Sequence, residues 1–145
     1  MKKLFLLLSW FIISNSVNAQ NGINPNVVEN LAKQGDLSAQ IKLANAYRKG
    51  IGVTQDYKTA VKWFTLAAEQ GNALAQYNLG RLYYLGKGVP ENLVYAHMWA
   101  KQASSNGFEM ATELTELLIE FMTANQVEKA KRLGQECVIK QYKSC

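Results

Sequence analysis

Apolar residues return at every fourth position in two stretches of this chain. Ala39, Leu43 and Tyr47 form one row and Ala75, Leu79 and Tyr83 another, and each row lies on one face of a helix. Asp36 and Asn72 stand just before these rows and suit the first turn, where free backbone N–H groups need acceptors. Gly35, Gly71, Gly50 and Gly86 stand where helices must stop, and glycine takes the left-handed conformation that ends them. A second kind of row follows: Tyr57, Ala60, Phe64 and Ala67, with Trp63 beside it. It predicts second helices over about Asp56 to Gln70 and Asn92 to Asn106. Alternating small and large residues let helices approach to about 8–10 Å between axes. The connections through Gly52 and Gly88 are short, so each second helix runs antiparallel to the first.

These rows are one pattern written twice. Ala39-Gln40 recurs as Ala75-Gln76, Gly50-Ile51-Gly52-Val53 as Gly86-Lys87-Gly88-Val89, Asp56 as Asn92, Ala60 as Ala96, Trp63 as Trp99 and Ala67 as Ala103, always 36 residues apart. A fixed period of that size predicts an all-α fold, a solenoid of stacked antiparallel helical hairpins. Gly71, Ala75, Gln76, Leu79, Gly80, Tyr83, Gly86, Gly88 and Val89, then Ala96, Trp99 and Ala103, resemble the Sel1-like repeat, a relative of the tetratricopeptide repeat. The first unit departs mildly, with Ala44 at the position of Gly80. The resemblance covers about residues 26–138. It implies a TPR-like superhelix acting as a non-catalytic adaptor or scaffold for other proteins, of a kind often exported by bacteria.

Residues 1–19 have the form of a secretory signal: Lys2 and Lys3, an apolar run from Leu4 to Ile13, and Val17-Asn18-Ala19 as a small-residue site. Cleavage is expected between Ala19 and Gln20. The ten-residue run is well short of the roughly 20 that a spanning helix needs. The mature chain is thus expected to have no membrane span and to be periplasmic or secreted. Residues 20–25 form a polar leader, 26–34 an N-terminal capping helix entered through Asn24-Pro25, 35–70 the first repeat and 71–106 the second. Residues 107–138 are a degenerate C-terminal capping hairpin, with Phe108, Ala111, Leu114, Leu118 and Phe121 on one helical stripe. Thr123 and Gln126 form a capping box ahead of the last helix. Its opening, Met122-Thr123 to Gln126-Val127 and Ala130, is similar to the terminal helix of exported Sel1-like proteins. Residues 139–145 are a tail.

Charge adds little. Without Lys2 and Lys3 the net charge of +5 becomes +3, too small and dispersed for a nucleic-acid partner. No nucleophile–base pair or metal-ligand spacing stands out, so no catalytic residue, metal or cofactor is expected. His97, the single histidine, has no cysteine or carboxylate at four-residue spacing and is read as a structural or surface residue. Gly50-x-Gly52 and Gly86-x-Gly88 follow helices, not strands, and are turns, not phosphate loops. The aromatic residues keep repeat spacing and are core, except Tyr84, which replaces Arg48 in the frame and is expected to face outward.

First helices of stacked hairpins line the concave side. Lys42, Asn45 and Arg48 in one unit and Asn78, Arg81 and Tyr84 in the next would therefore line a groove. Amides there can bind the backbone of an extended peptide, with Arg and Tyr as anchors. The expected partner is an envelope or secreted protein or peptide, and the protein itself is expected to be a monomer. An envelope glycan or peptidoglycan binder is the alternative, using Tyr and Asn. A third reading, β-lactam-active enzyme, is disfavoured: the resemblance would imply it only for the family's cysteine-rich exported branch, which bridges each hairpin, and neither complete unit here holds a cysteine.

Both cysteines, Cys137 and Cys145, follow the last apolar stripe, and an exported chain meets an oxidising compartment. A disulfide between them is expected, with two free thiols or an intermolecular bridge as alternatives. On one continuous helix their Cα atoms would be roughly 12 Å apart, whereas a disulfide needs about 4.4–6.8 Å. The final helix must then end soon after Cys137, with Val138 to Ser144 folding back.

Overall fold

A computed structural model describes residues 25–145. The signal segment, the cleavage between Ala19 and Gln20 and the leader up to Asn24 lie outside the described residues. Among the described residues seven helices follow one another: α1 Pro25–Lys33, α2 Leu37–Lys49, α3 Tyr57–Ala68, α4 Ala73–Leu85, α5 Leu93–Ser105, α6 Met110–Phe121 and α7 Ala124–Ile139. Local chemistry sets their starts. Ala39 N–H donates to Asp36 at 2.7 Å and Ala75 N–H to Asn72 at 2.9 Å. Asp56 and Asn92 do the same for α3 and α5. Thr123 and Gln126 close a reciprocal capping box at α7. Substituting such a cap by alanine costs about 1 kcal/mol.

Consecutive helices pack in hairpin order, α1 on α2, α2 on α3, α3 on α4, α4 on α5 and α5 on α6. The main core runs through the alanine positions. Ala39, Ala44, Ala60, Ala67, Ala68 and Ala75 let the helices close on one another, while Leu43, Phe64, Trp63, Leu79 and Trp99 fill the space beside them. Each large side chain so buried contributes about 1.5–3 kcal/mol. Gly80 shows how near the approach is: a Cβ there would sit 3.0 Å from the Ala96 carbonyl oxygen. Ala44, its counterpart in the first unit, is a fully buried alanine.

The C-terminal end departs from a plain hairpin. α7 rests on α5 and has little contact with α6. Its buried face is narrow, made of Ala130, Gly134 and Cys137. Gln102 of α5 donates to the Gly134 carbonyl at 3.0 Å, and a Cβ on Gly134 would lie 2.9 Å from that amide nitrogen. The apolar face of α6 is already spent on a second cluster, where Leu114 and Leu118 meet Ala96 and Ala100. Phe121, expected on the same stripe, is exposed. The helix ends there, the backbone turns extended at Met122, and Met122 packs inward instead. α5 thus has neighbours on three sides and buries eight of its residues.

Cys137 and Cys145 are bonded, with Cα atoms 5.2 Å apart. α7 stops two residues past Cys137, and the Tyr142 N–H returns to the Cys137 carbonyl at 2.8 Å. The tail then reaches back over the repeats. Tyr142 Oη donates to Asn106 at 3.2 Å, and the Ser144 N–H donates to Glu69 at 3.1 Å.

Candidate partner-binding surface

The first helices α2 and α4 carry the six residues expected to line a groove, and their surroundings differ. Lys42 is exposed. Asn45 is partly buried, and its amide donates to the Ile41 carbonyl at 3.1 Å on its own helix. Arg48 is partly buried; its guanidinium donates to Asn45 Oδ1 at 2.9 Å, while its Nε is buried without a hydrogen-bond partner. Arg81 is exposed, and its guanidinium stands 5.7 Å from the centre of the Tyr77 ring.

Two of the six need correction. Asn78 is only 7% exposed. Its amide turns back to the Leu74 carbonyl at 2.9 Å, which satisfies the group locally and removes it from the surface. Tyr84 does not face outward: it is partly buried and packs against the α5–α6 cluster. α6 supplies the apolar surface for it, through Leu114 and Leu118.

Arg48, Asn78 and Arg81 do meet, at a small pocket of about 80 Å³ where the two units join. Tyr57, Leu82, Leu85 and Lys87 complete its lining. It contains three cationic side chains and no carboxylate. Lys87 lies 5.1 Å from the centre of the Tyr57 ring, within cation–π range. The sequence pattern marks Tyr57 only as a core position and Lys87 only as a turn residue. Lys87 replaces Ile51 between two turn glycines, and only the stacking of one unit on the next brings it to Tyr57. That stacking is close: at Gly88, with φ of 76°, an added Cβ would be 2.4 Å from the Tyr57 carbonyl oxygen.

A polar ladder along the unit junctions also escaped the sequence reading. Gln40 donates to the Ala32 carbonyl and accepts from Gln70 at 2.7 Å; Gln76 donates to the Ala68 carbonyl and accepts from Asn106 at 2.9 Å. Tyr142 is the next rung, donating to Asn106. The recurrence of glutamine at a 36-residue interval was the available signal.

The fold and its repeated junctions define an all-α solenoid of helical hairpins. The chain is a Sel1 repeat protein: the model of that family, described as Sel1 repeat, matches residues 37–72 and 73–108. Among solved structures it is similar to a protective antigen present in uropathogenic Escherichia coli strains, described as displaying an SLR fold. The TM-score is 0.76 and the identity 36%, over 81% of this chain and 25% of that one. It is also similar to a Sel1 repeat protein from Oxalobacter formigenes, with TM-score 0.62 and 33% identity, over 64% of this chain and 38% of that one. The chain therefore spans well under half the length of either. Comparison with curated proteins gives no match. Among the described residues no helix is long and apolar enough to cross a membrane, and no group of three or more His, Cys, Asp or Glu side chains could hold a metal ion.

Proposed function

We propose that this Sel1 repeat scaffold is an exported, monomeric adaptor that binds an acidic segment of a protein partner on its α2–α4 face. The observation that carries the proposal is the pocket shared by Arg48, Arg81 and Lys87, with no carboxylate in its lining and the Arg48 Nε unpaired. A carboxylate side chain entering there would supply the missing acceptor. Hydrogen bonds to a charged group contribute about 1.5–3 kcal/mol, more than neutral ones. The pocket admits one head group, so the rest of the partner would run over Lys42 and Asn45 on the neighbouring turns. Asn78 shapes the pocket wall, and Tyr84 has no part in contact. Export through the segment ending at Ala19 accords with the Cys137–Cys145 bond, since disulfides persist in oxidising compartments.

Panning a random peptide library on the chain beginning at Gln20 tests this. Peptides rich in Asp or Glu should be enriched, and Arg81→Ala should weaken them by about 1–2 kcal/mol while leaving the melting temperature nearly unchanged. Enriched peptides without acidic residues, or equal affinity for Arg81→Ala, would refute it. Sedimentation with peptidoglycan that Arg81→Ala does not disturb would point to a glycan ligand instead.

A further inference from the structure

α7 covers α5 incompletely, and the gap between them is a groove of about 730 Å³. That volume falls in the range of small-ligand sites, about 300–1,000 Å³. The groove lies on helices that take no part in the α2–α4 face. Met98, Val138 and Tyr142 give it an apolar wall. Lys101 and Lys131 line it from the two helices. Lys101 makes no ion pair among the described residues, and Lys131 has an exposed one with Glu128 at 3.0 Å. Such an exposed pair is worth at most about 1 kcal/mol and yields to a better-placed anion.

His97 is the feature that calls for a ligand. It is 3% exposed, lines the groove, and its Nδ1 has no hydrogen-bond partner. A buried polar atom left unpaired costs about 1–3 kcal/mol. The Gln102 amide, also in the groove lining, donates to the Gly134 carbonyl and makes no bond to His97 Nδ1. Lys101 is one helical turn from His97 and on the same face.

We propose that the α5–α7 groove binds a small aliphatic carboxylic acid, its carboxylate held between Lys101 and Lys131 and accepting a hydrogen bond from His97, its chain against Met98, Val138 and Tyr142. The two cations match a single negative head group. One unpaired buried polar atom in the groove, His97 Nδ1, suits one head group better than a peptide backbone, which would need a row of partners. Burial first, and then the charges of Lys101 and Lys131, hold the His97 imidazole below its ordinary titration range. A carboxylate seated among them cancels part of that repulsion, so binding raises the pKa of His97.

Titration of the full chain with decanoate, below its micellar range and followed through the His97 ring protons by NMR, provides the test. Saturable shifts are expected, with the His97 titration moving upward in the complex. Lys101→Gln and Lys131→Gln should each weaken binding about fivefold, the upper end for an exposed charge pair. Both lysines are exposed, so neither variant threatens the fold. Decanol, with the same chain and no charge, should bind more weakly. Equal binding of decanol, shifts that do not saturate, or a decanoate affinity unchanged in both lysine variants would overturn the proposal. Tighter binding of an acidic amphipathic peptide at the same His97 resonances would overturn it in favour of a peptide groove.

Discussion

The two second glycines of the turns look equivalent in the sequence and are not equivalent in the fold. Both have left-handed backbone, φ 73° at Gly52 and 76° at Gly88, which costs an L-residue about 1–2 kcal/mol. A Cβ at Gly52 meets nothing within 4 Å, whereas one at Gly88 collides with the backbone of Tyr57. Gly52→Ala should therefore lower stability by about 1–2 kcal/mol, and Gly88→Ala by clearly more, in chemical denaturation of the two variants side by side. Equal losses would mean that the unit junction opens freely. His97 carries the other prediction at this scale. Its folded-state pKa lies below its ordinary value of 6.5, because burial and then two lysines disfavour the cation. Below pH 6.5 the unfolded chain takes a proton that the folded chain refuses, so stability falls as pH drops from 6.5 toward the lowered value. Above 6.5 this group contributes no slope. His97→Gln should flatten the melting temperature between pH 6.5 and 5, and an unchanged slope would assign the acid sensitivity to other groups.

Helix pairing rests on the buried glutamine ladder as well as on alanine contacts. Gln76 is fully buried and holds α3, α4 and α5 at once, through Ala68 on one side and Asn106 on the other. Gln76→Leu keeps much of the volume but leaves the Ala68 carbonyl without the Gln76 amide, at a cost of about 1–3 kcal/mol. The loss should appear in urea unfolding, with Gln40→Leu behaving alike at the preceding junction. The helices and their caps were legible in advance because each depends on residues three or four apart. The ladder's chemistry was not, since its rungs join residues 30 apart whose meeting depends on the stacking angle. The same limit explains the candidate site. Arg48 and Arg81 could be placed on first helices from their period alone. The inward turn of Asn78 and Tyr84 could not, because a side chain's direction there is decided by a neighbouring carbonyl or by the face of α6. The path of α7 was also beyond local pattern: its narrow row of small residues fits α5, and only the assembled bundle offers that face.

For the whole molecule, the disulfide closes a ring of eight sequence steps and holds Tyr142 and Ser144 against earlier helices. Reduction, or Cys145→Ser, should lower stability by about 2–3 kcal/mol on the loop-entropy account, read as a shift in the denaturation midpoint against the oxidised chain. An unchanged midpoint would leave the bridge with no stabilising role. The tail has a further effect. In a row of units that touch only their neighbours, an end unit can open alone and the rest follow one by one. Here Ser144 contacts Glu69, at the C-terminal end of α3, and Tyr142 contacts Asn106, so departure of α7 with its tail also breaks contacts at the junction between the two repeats. Oxidised, the array should come apart all at once, with amide hydrogens of α3 and α7 exchanging at matching rates. Reduced, it should fray from α7 inward while α2 and α3 stay protected. The redox state of one small ring thus selects between all-or-none and stepwise loss of the entire solenoid.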